Sequence, residues 1–230
     1  MPKSLFQKFL FAYLVLFPLF SKAEQTRLDS LKLQLDTATG INRVNILSGI
    51  CWEFHFFNQD SAIIYGNQGL ILAKKINYKN GQAQLLNNIA TIYFDKGEYD
   101  KAMGTYIDAE IFFESDNNKK GMSMTSLNIG NLQLNQKLYD KALVSYSSAL
   151  DIAKQAGDNE LTARCFNAIG ALFYETEEKL KALDYFSKAL EIMKEINNTR
   201  GISEGLNNVA VVYEELGNYK QALVYHNQSL

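Results

Sequence analysis

Hydrophobic and polar positions along the chain follow the period of an α-helix. One apolar stripe consists of Leu85, Leu86, Ile89, Ile92 and Tyr93, which have the three-and-four spacing of a single helix face. The turn-forming segment 95–98 follows, with Gly97 placed for a left-handed helix C-cap. A second stripe consists of Tyr99, Ala102, Met103, Tyr106, Ala109 and Phe113, and it ends at the polar segment 116–118. This pattern predicts two antiparallel helices joined by a short turn.

The two-helix pattern recurs every forty residues. Segment 87–90 (Asn-Asn-Ile-Ala) aligns with 127–130, 167–170 and 207–210, and segment 99–102 aligns with 139–142, 179–182 and 219–222. Self-similarity at a fixed period is typical of a solenoid, in which each helix pair is stabilised by its neighbours. We expect repeats at about 41–80, 81–120, 121–160 and 161–200, and a truncated one at 201–230. Residues 24–40 are expected to form a short helix and a linker.

Five columns of the repeat carry a family resemblance. The first helix has a small residue at Ala90, Gly130, Gly170 and Ala210, and an aromatic residue at Tyr93, Phe173 and Tyr213. The second helix has the alanine column of Ala102, the aromatic column of Tyr106 and the small-residue column of Ala109. The chain thus resembles the tetratricopeptide repeat family in its longer, roughly forty-residue form. This resemblance implies an all-α, right-handed α-solenoid of antiparallel helix pairs.

The first 23 residues have the features of a secretory signal peptide. Lys3 and Lys8 precede an apolar run at 9–20, and Ser21 and Ala23 stand at the −3 and −1 positions of a cleavage site before Glu24. The run is short for a membrane span, which needs about 20 apolar residues. An uncleaved N-terminal anchor is the alternative. We therefore expect an exported protein.

Composition limits the chemistry that the chain can perform. Net charge is −2 without a basic block, which gives no indication of nucleic-acid binding. There are only two histidines and two cysteines, too few for a His-rich or Cys₄ metal site. The repeat register places Cys51 and Cys165 almost three repeats apart, so we expect two free, buried thiols rather than a disulfide. We predict no enzymatic activity, cofactor or metal in these residues.

The candidate binding site follows from the resemblance, because the first helices of tetratricopeptide solenoids line a concave groove. Its expected lining is Asn87, Asn88, Phe94, Asn128, Asn131, Leu134, Arg164, Asn167, Tyr174, Asn207 and Asn208. Amide side chains both donate and accept hydrogen bonds, which suits the backbone of an extended peptide. The alternative is structural, with each asparagine bonded to the backbone of a neighbouring repeat. Both interpretations stand at this point, and the expected partner is a protein or an extended peptide.

The whole layout resembles the exported tetratricopeptide sensor regions of Bacteroidetes signalling proteins. In that group a membrane span and an output module follow the repeats: a histidine kinase, a cyclase or a DNA-binding regulator. This resemblance implies a non-enzymatic sensor region, tethered to the inner membrane through a downstream span. A free-standing exported adaptor that gathers envelope proteins is the alternative function. An enzyme with a site hidden in the solenoid is the third, and no catalytic set of residues supports it.

Overall fold

The computed structural model describes residues 27–229, and within them every regular element is an α-helix. The predicted signal peptide lies outside the described residues. Helix α1 covers residues 27–35, and the helices that follow are α2 (Gly40–His55), α3 (Gln59–Lys75), α4 (Lys79–Asp95), α5 (Tyr99–Ser115), α6 (Lys119–Asn135), α7 (Tyr139–Ala156), α8 (Asn159–Glu175), α9 (Lys179–Glu195), α10 (Thr199–Glu215) and α11 (Tyr219–Ser229). The predicted all-α fold of paired helices is confirmed.

The turns between these helices share one backbone conformation. A residue with positive φ recurs every twenty residues from 77 to 217, at Asn77, Gly97, Asn117, Lys137, Gly157, Glu177, Asn197 and Gly217. Gly97 has φ +74°, as the sequence predicted for the C-cap of the first helix. The left-handed residue ends one helix and reverses the chain within three residues, which makes the two helices of a repeat antiparallel.

Side-chain caps mark where several first helices begin. Asn118 Oδ1 accepts a hydrogen bond of 2.8 Å from the backbone N–H of Gly121, and Asp158 and Asn198 cap α8 and α10 in the same way, at 2.9 Å each. An N-cap side chain satisfies one of the backbone donors that a helix start leaves open. These caps stand forty residues apart, so the start signal of α6, α8 and α10 repeats with the sequence.

The chain divides into two compact units, of which the N-terminal one ends at Ile92. In this unit α1 packs on α2 through a core of Leu28, Ala38, Ile46 and Ile50. Arg27 Nε also lies 3.1 Å from the buried carboxylate of Glu53. The expected short N-terminal helix is therefore part of this core, which it joins through both apolar and ionic contacts.

The C-terminal unit comprises residues 93–230 and has a continuous core built on small residues under aromatic rings. A Cβ atom on Gly130 would lie 2.5 Å from the ring of Tyr146, and one on Gly170 would lie 2.7 Å from the ring of Phe186. Tyr146 is fully buried, and so are Ala142 and Ala182 in the alanine column of the second helices. Side chains larger than these would separate the helices, so the small columns are a steric requirement.

Candidate functional site

The two asparagines of the predicted site that lie in the N-terminal unit are buried. Asn87 and Asn88 are each only 4% exposed. Asn88 Nδ2 donates to Ser48, at 3.1 Å to Oγ and 3.4 Å to the backbone oxygen, and Gln84 Nε2 donates to Asn88 Oδ1 at 3.1 Å. Ser48 occupies the same repeat position forty residues earlier. Burial removes both side chains from an open groove, and the bonds from Asn88 to Ser48 match the structural alternative, in which an asparagine joins adjacent repeats.

The asparagines of the later repeats are more accessible. Asn128, Asn167 and Asn208 are half-buried, and Asn207 is exposed. Asn207 Oδ1 accepts a 2.9 Å hydrogen bond from Ser229 Oγ and lies 3.3 Å from His226 Nδ1. Asn167 has the same place one repeat earlier, and its Oδ1 is buried without a hydrogen-bond partner. A ligand role for these four residues stays a prediction.

A pocket of about 330 Å³ lies within the C-terminal unit, where the first helices α4, α6 and α8 end. Its lining is Phe94, Asn131, Leu134, Asn135, Lys137, Tyr139 and Glu175. Three of these residues, Phe94, Asn131 and Leu134, were expected in the groove from the sequence. Arg164 is exposed and Tyr174 half-buried, and neither lines this pocket. The structure thus brings together one part of the predicted site.

A buried tyrosine fixes the orientation of Asn131 in this pocket. Tyr146 Oη donates a 2.8 Å hydrogen bond to Asn131 Oδ1, and burial raises the pKa of Tyr146, so the phenol remains a donor. Because Oδ1 already accepts this hydrogen bond, the Nδ2 donor is the group of Asn131 most available to a ligand. One repeat later the equivalent pair is Phe186 and Ala171, which has neither the hydroxyl nor the amide. The fixed donor is therefore specific to this repeat.

Sequence reasoning missed the other four lining residues. Asn135, Lys137 and Tyr139 surround the left-handed turn that ends α6, and Glu175 ends α8. The position of Leu134 could have indicated three of them, since the turn that directly follows this expected groove residue must lie beside the groove. These residues provide an amide, an ammonium group, an aromatic ring and a carboxylate. The pocket can therefore donate, accept and pair with charge around an apolar floor.

Other chemistry in the described chain is limited. Among residues 27–229 no three His, Cys, Asp or Glu side chains are gathered to hold a metal ion. Across the same residues no helix has both the length and the apolar character needed to cross a bilayer. Cys51 and Cys165 are free and buried, as predicted. Burial raises the pKa of Cys51 to about 12 and that of Cys165 to about 11, so both remain protonated thiols at neutral pH.

Sequence comparison agrees with this architecture. A family model described as the SusR N-terminal TPR domain matches residues 18–109, and one described as the tetratricopeptide repeat matches 122–195 and 180–230. No curated protein gives a significant match. Together the two models cover most of the sequence and both describe tetratricopeptide repeats. The chain belongs to the tetratricopeptide repeat family.

Solved structures with the same fold come from proteins of different kinds. BtubC from P. vanneervenii is 15% identical, with a TM-score of 0.70 over 90% of this chain and 87% of that one. A Rap protein in complex with competence and sporulation factor is 16% identical, with a TM-score of 0.71 over 88% of this chain and 56% of that one. A signal transduction ATPase with a tetratricopeptide repeat sensor from Pyrococcus horikoshii is 16% identical, with a TM-score of 0.71 over 94% of this chain and 34% of that one. At these identities the likeness shows the fold alone.

The lone acceptor on Asn167 leads to a stability prediction. In the last repeat, Ser229 supplies a hydroxyl donor to Asn207, whereas the equivalent residue facing Asn167 is the buried Ala189. Ala189→Ser should therefore raise the free energy of unfolding by about 0.5–1.5 kcal/mol, the usual value of a new neutral hydrogen bond. Urea denaturation followed by circular dichroism measures the change.

The matched control for this substitution is Ala149→Ser, one repeat earlier. Ala149 is equally buried, but Leu127 stands at the position that Asn167 and Asn207 occupy in the later repeats, so the new hydroxyl gains no amide acceptor. This variant should lose about 1–3 kcal/mol. Equal destabilisation by both serines would show that the lone Asn167 oxygen cannot be satisfied from position 189.

Proposed function

We propose that this chain is a non-enzymatic scaffold that binds a peptide on its first-helix face and forms the extracytoplasmic sensor region of a bacterial signal-transduction protein. The observation that carries the proposal is the pocket at the ends of α4, α6 and α8. Its volume of about 330 Å³ is at the lower end of the ~300–1,000 Å³ common for ligand sites. A few peptide residues, rather than a folded domain, match this size.

The composition of the pocket favours a peptide. Phe94, Leu134 and Tyr139 provide apolar and aromatic surface for a side chain, while Asn131 provides an oriented N–H donor for a backbone carbonyl. Apolar walls with a small number of placed polar groups are the usual arrangement in a site that fixes the orientation of its ligand. The Rap structure supports the same use of the fold, since that protein was solved in complex with competence and sporulation factor.

The sensor part of the proposal has separate support. Residues 1–23 have the features of a signal peptide. The family model that matches residues 18–109 describes the N-terminal TPR domain of SusR. The Pyrococcus horikoshii protein is a signal transduction ATPase with a tetratricopeptide repeat sensor. In our proposal the repeats meet the ligand on the periplasmic side, and an output module beyond a downstream membrane span receives the signal.

Peptide binding can be tested with the purified chain and a synthetic library of random peptides two to eight residues long. Peptides retained by the chain are identified by mass spectrometry, and their affinities are measured by calorimetry. Asn131→Ala should weaken binding about three- to tenfold, because one hydrogen bond to the ligand is lost. Leu134→Asp should abolish binding, because it places a charge on the apolar floor.

The control for these variants is Asn67→Ala, which removes an exposed amide from α3 in the N-terminal unit. Its affinity for the selected peptides should equal that of the unaltered chain. Peptides that bind equally well to the Asn131 and Leu134 variants would place the binding surface elsewhere. A chain that retains no peptide from the library would contradict the proposed binding function.

Export can be tested by expressing the gene with its own leader in a bacterium and sequencing the protein from the periplasmic fraction. Cleavage after Ala23 predicts that the mature protein begins at Glu24. Replacing Ala23 with a bulky residue, as in Ala23→Trp, should block cleavage at this position. Protein found only in the cytoplasm with residues 1–23 intact would contradict the extracytoplasmic assignment.

A further inference from the structure

The pocket contains two opposite charges that are not paired with each other. Lys137 and Glu175 both line it, both are exposed, and among the ion pairs of residues 27–229 neither side chain takes part. Nearby acidic and basic side chains behave differently: Glu98 pairs with Lys101, and Lys179 lies 3.0 Å from Glu215. The charges left available to a ligand are therefore one ammonium and one carboxylate.

Three other lining residues, Phe94, Leu134 and Tyr139, are apolar or aromatic. The rings of Phe94 and Tyr99 pack at a centroid distance of 6.0 Å. A ligand that fills the pocket therefore has a cation, an anion and apolar surface to contact. A ligand with a single charge would leave one of the two protein charges unpaired.

The pocket also has an oriented hydrogen-bond donor. Asn131 Oδ1 is held by Tyr146, so its Nδ2 is left to donate, and a carboxylate accepts from both an ammonium and an amide. The Glu175 carboxylate can only accept, which suits a protonated amine.

We propose that the pocket selects short peptides with both termini free, binding the terminal ammonium at Glu175 and the terminal carboxylate at Lys137 and Asn131. Apolar side chains of the peptide occupy the floor between them. This inference rests on the proposed peptide-binding function and specifies its ligand: a zwitterionic peptide of two or three residues, rather than an internal segment of a longer chain.

Four forms of one dipeptide test this inference by calorimetry with the whole chain: leucyl-leucine, its N-acetyl derivative, its C-terminal amide and the doubly capped compound. The free dipeptide should bind about tenfold more tightly than either singly capped form, because each cap removes one charge-assisted hydrogen bond. The doubly capped form should bind most weakly. Raising the salt concentration should reduce these differences, since exposed charges are screened.

Removing a charge from the protein should have the same effect on affinity as capping the peptide terminus that this charge binds. Glu175→Gln should weaken binding of the free dipeptide and leave the N-acetyl derivative unchanged, whereas Lys137→Gln should weaken the free dipeptide and leave the amide unchanged. The control variants Lys141→Gln and Glu191→Gln alter exposed charges away from the pocket and should change no affinity.

Two results would overturn the inference. Capped and free dipeptides of equal affinity would show that Lys137 and Glu175 do not bind the peptide termini. Longer library peptides could still bind in that case, so the proposed function would stand. Free dipeptide that fails to bind at millimolar concentration would likewise exclude the zwitterionic ligand. Only the additional failure of every library peptide would contradict the peptide-binding function itself.

Discussion

Close contact between small residues and aromatic rings is the constraint on which the C-terminal unit depends. Gly130 lies under Tyr146 and Gly170 under Phe186, at distances that leave no room for even a methyl group. Each ring fills the space that a larger first-helix side chain would need. In these two repeats the helices approach through this pairing, which recurs after forty residues.

The same contact connects the scaffold to the pocket. Tyr146 is buried by its packing over Gly130, yet its hydroxyl reaches the surface residue Asn131 on the facing helix. A residue that packs the core therefore also sets the direction of a ligand-facing amide. The next repeat keeps the packing with Phe186 but has Ala171 in place of the amide. The core packing therefore does not require the amide, which is present only in the repeat that forms the pocket. Preorganisation of this kind lowers the entropy cost of binding.

Much of the fold could be predicted from the sequence, because the repeat supplies the same local signals several times. The left-handed turn at Gly97 was predicted from the position of the glycine after an apolar stripe, and the structure has it. Lys137 and Glu177 also adopt positive φ, although neither residue type favours it, so the turns there follow from the period rather than from local preference.

The site was harder to predict, because a column of identical residues does not have identical surroundings. Asn88 bonds to Ser48, Asn207 accepts from Ser229, and Asn167 Oδ1 lacks a partner. These differences arise from the residues opposite each asparagine, which periodicity alone does not identify. The pocket also includes turn residues such as Lys137, whose contribution depends on three helix ends meeting in space.

The claim that core packing orients the binding amide is tested most directly by a double-mutant cycle on Tyr146 and Asn131, with leucyl-leucine or the tightest library peptide as the ligand. Tyr146→Phe keeps the ring over Gly130 and removes the hydroxyl that holds Asn131. We predict that Tyr146→Phe and Asn131→Ala each weaken peptide binding several-fold and that the double variant binds no more weakly than Asn131→Ala alone. Losses that simply add, or a Tyr146→Phe variant with unchanged affinity, would contradict the account.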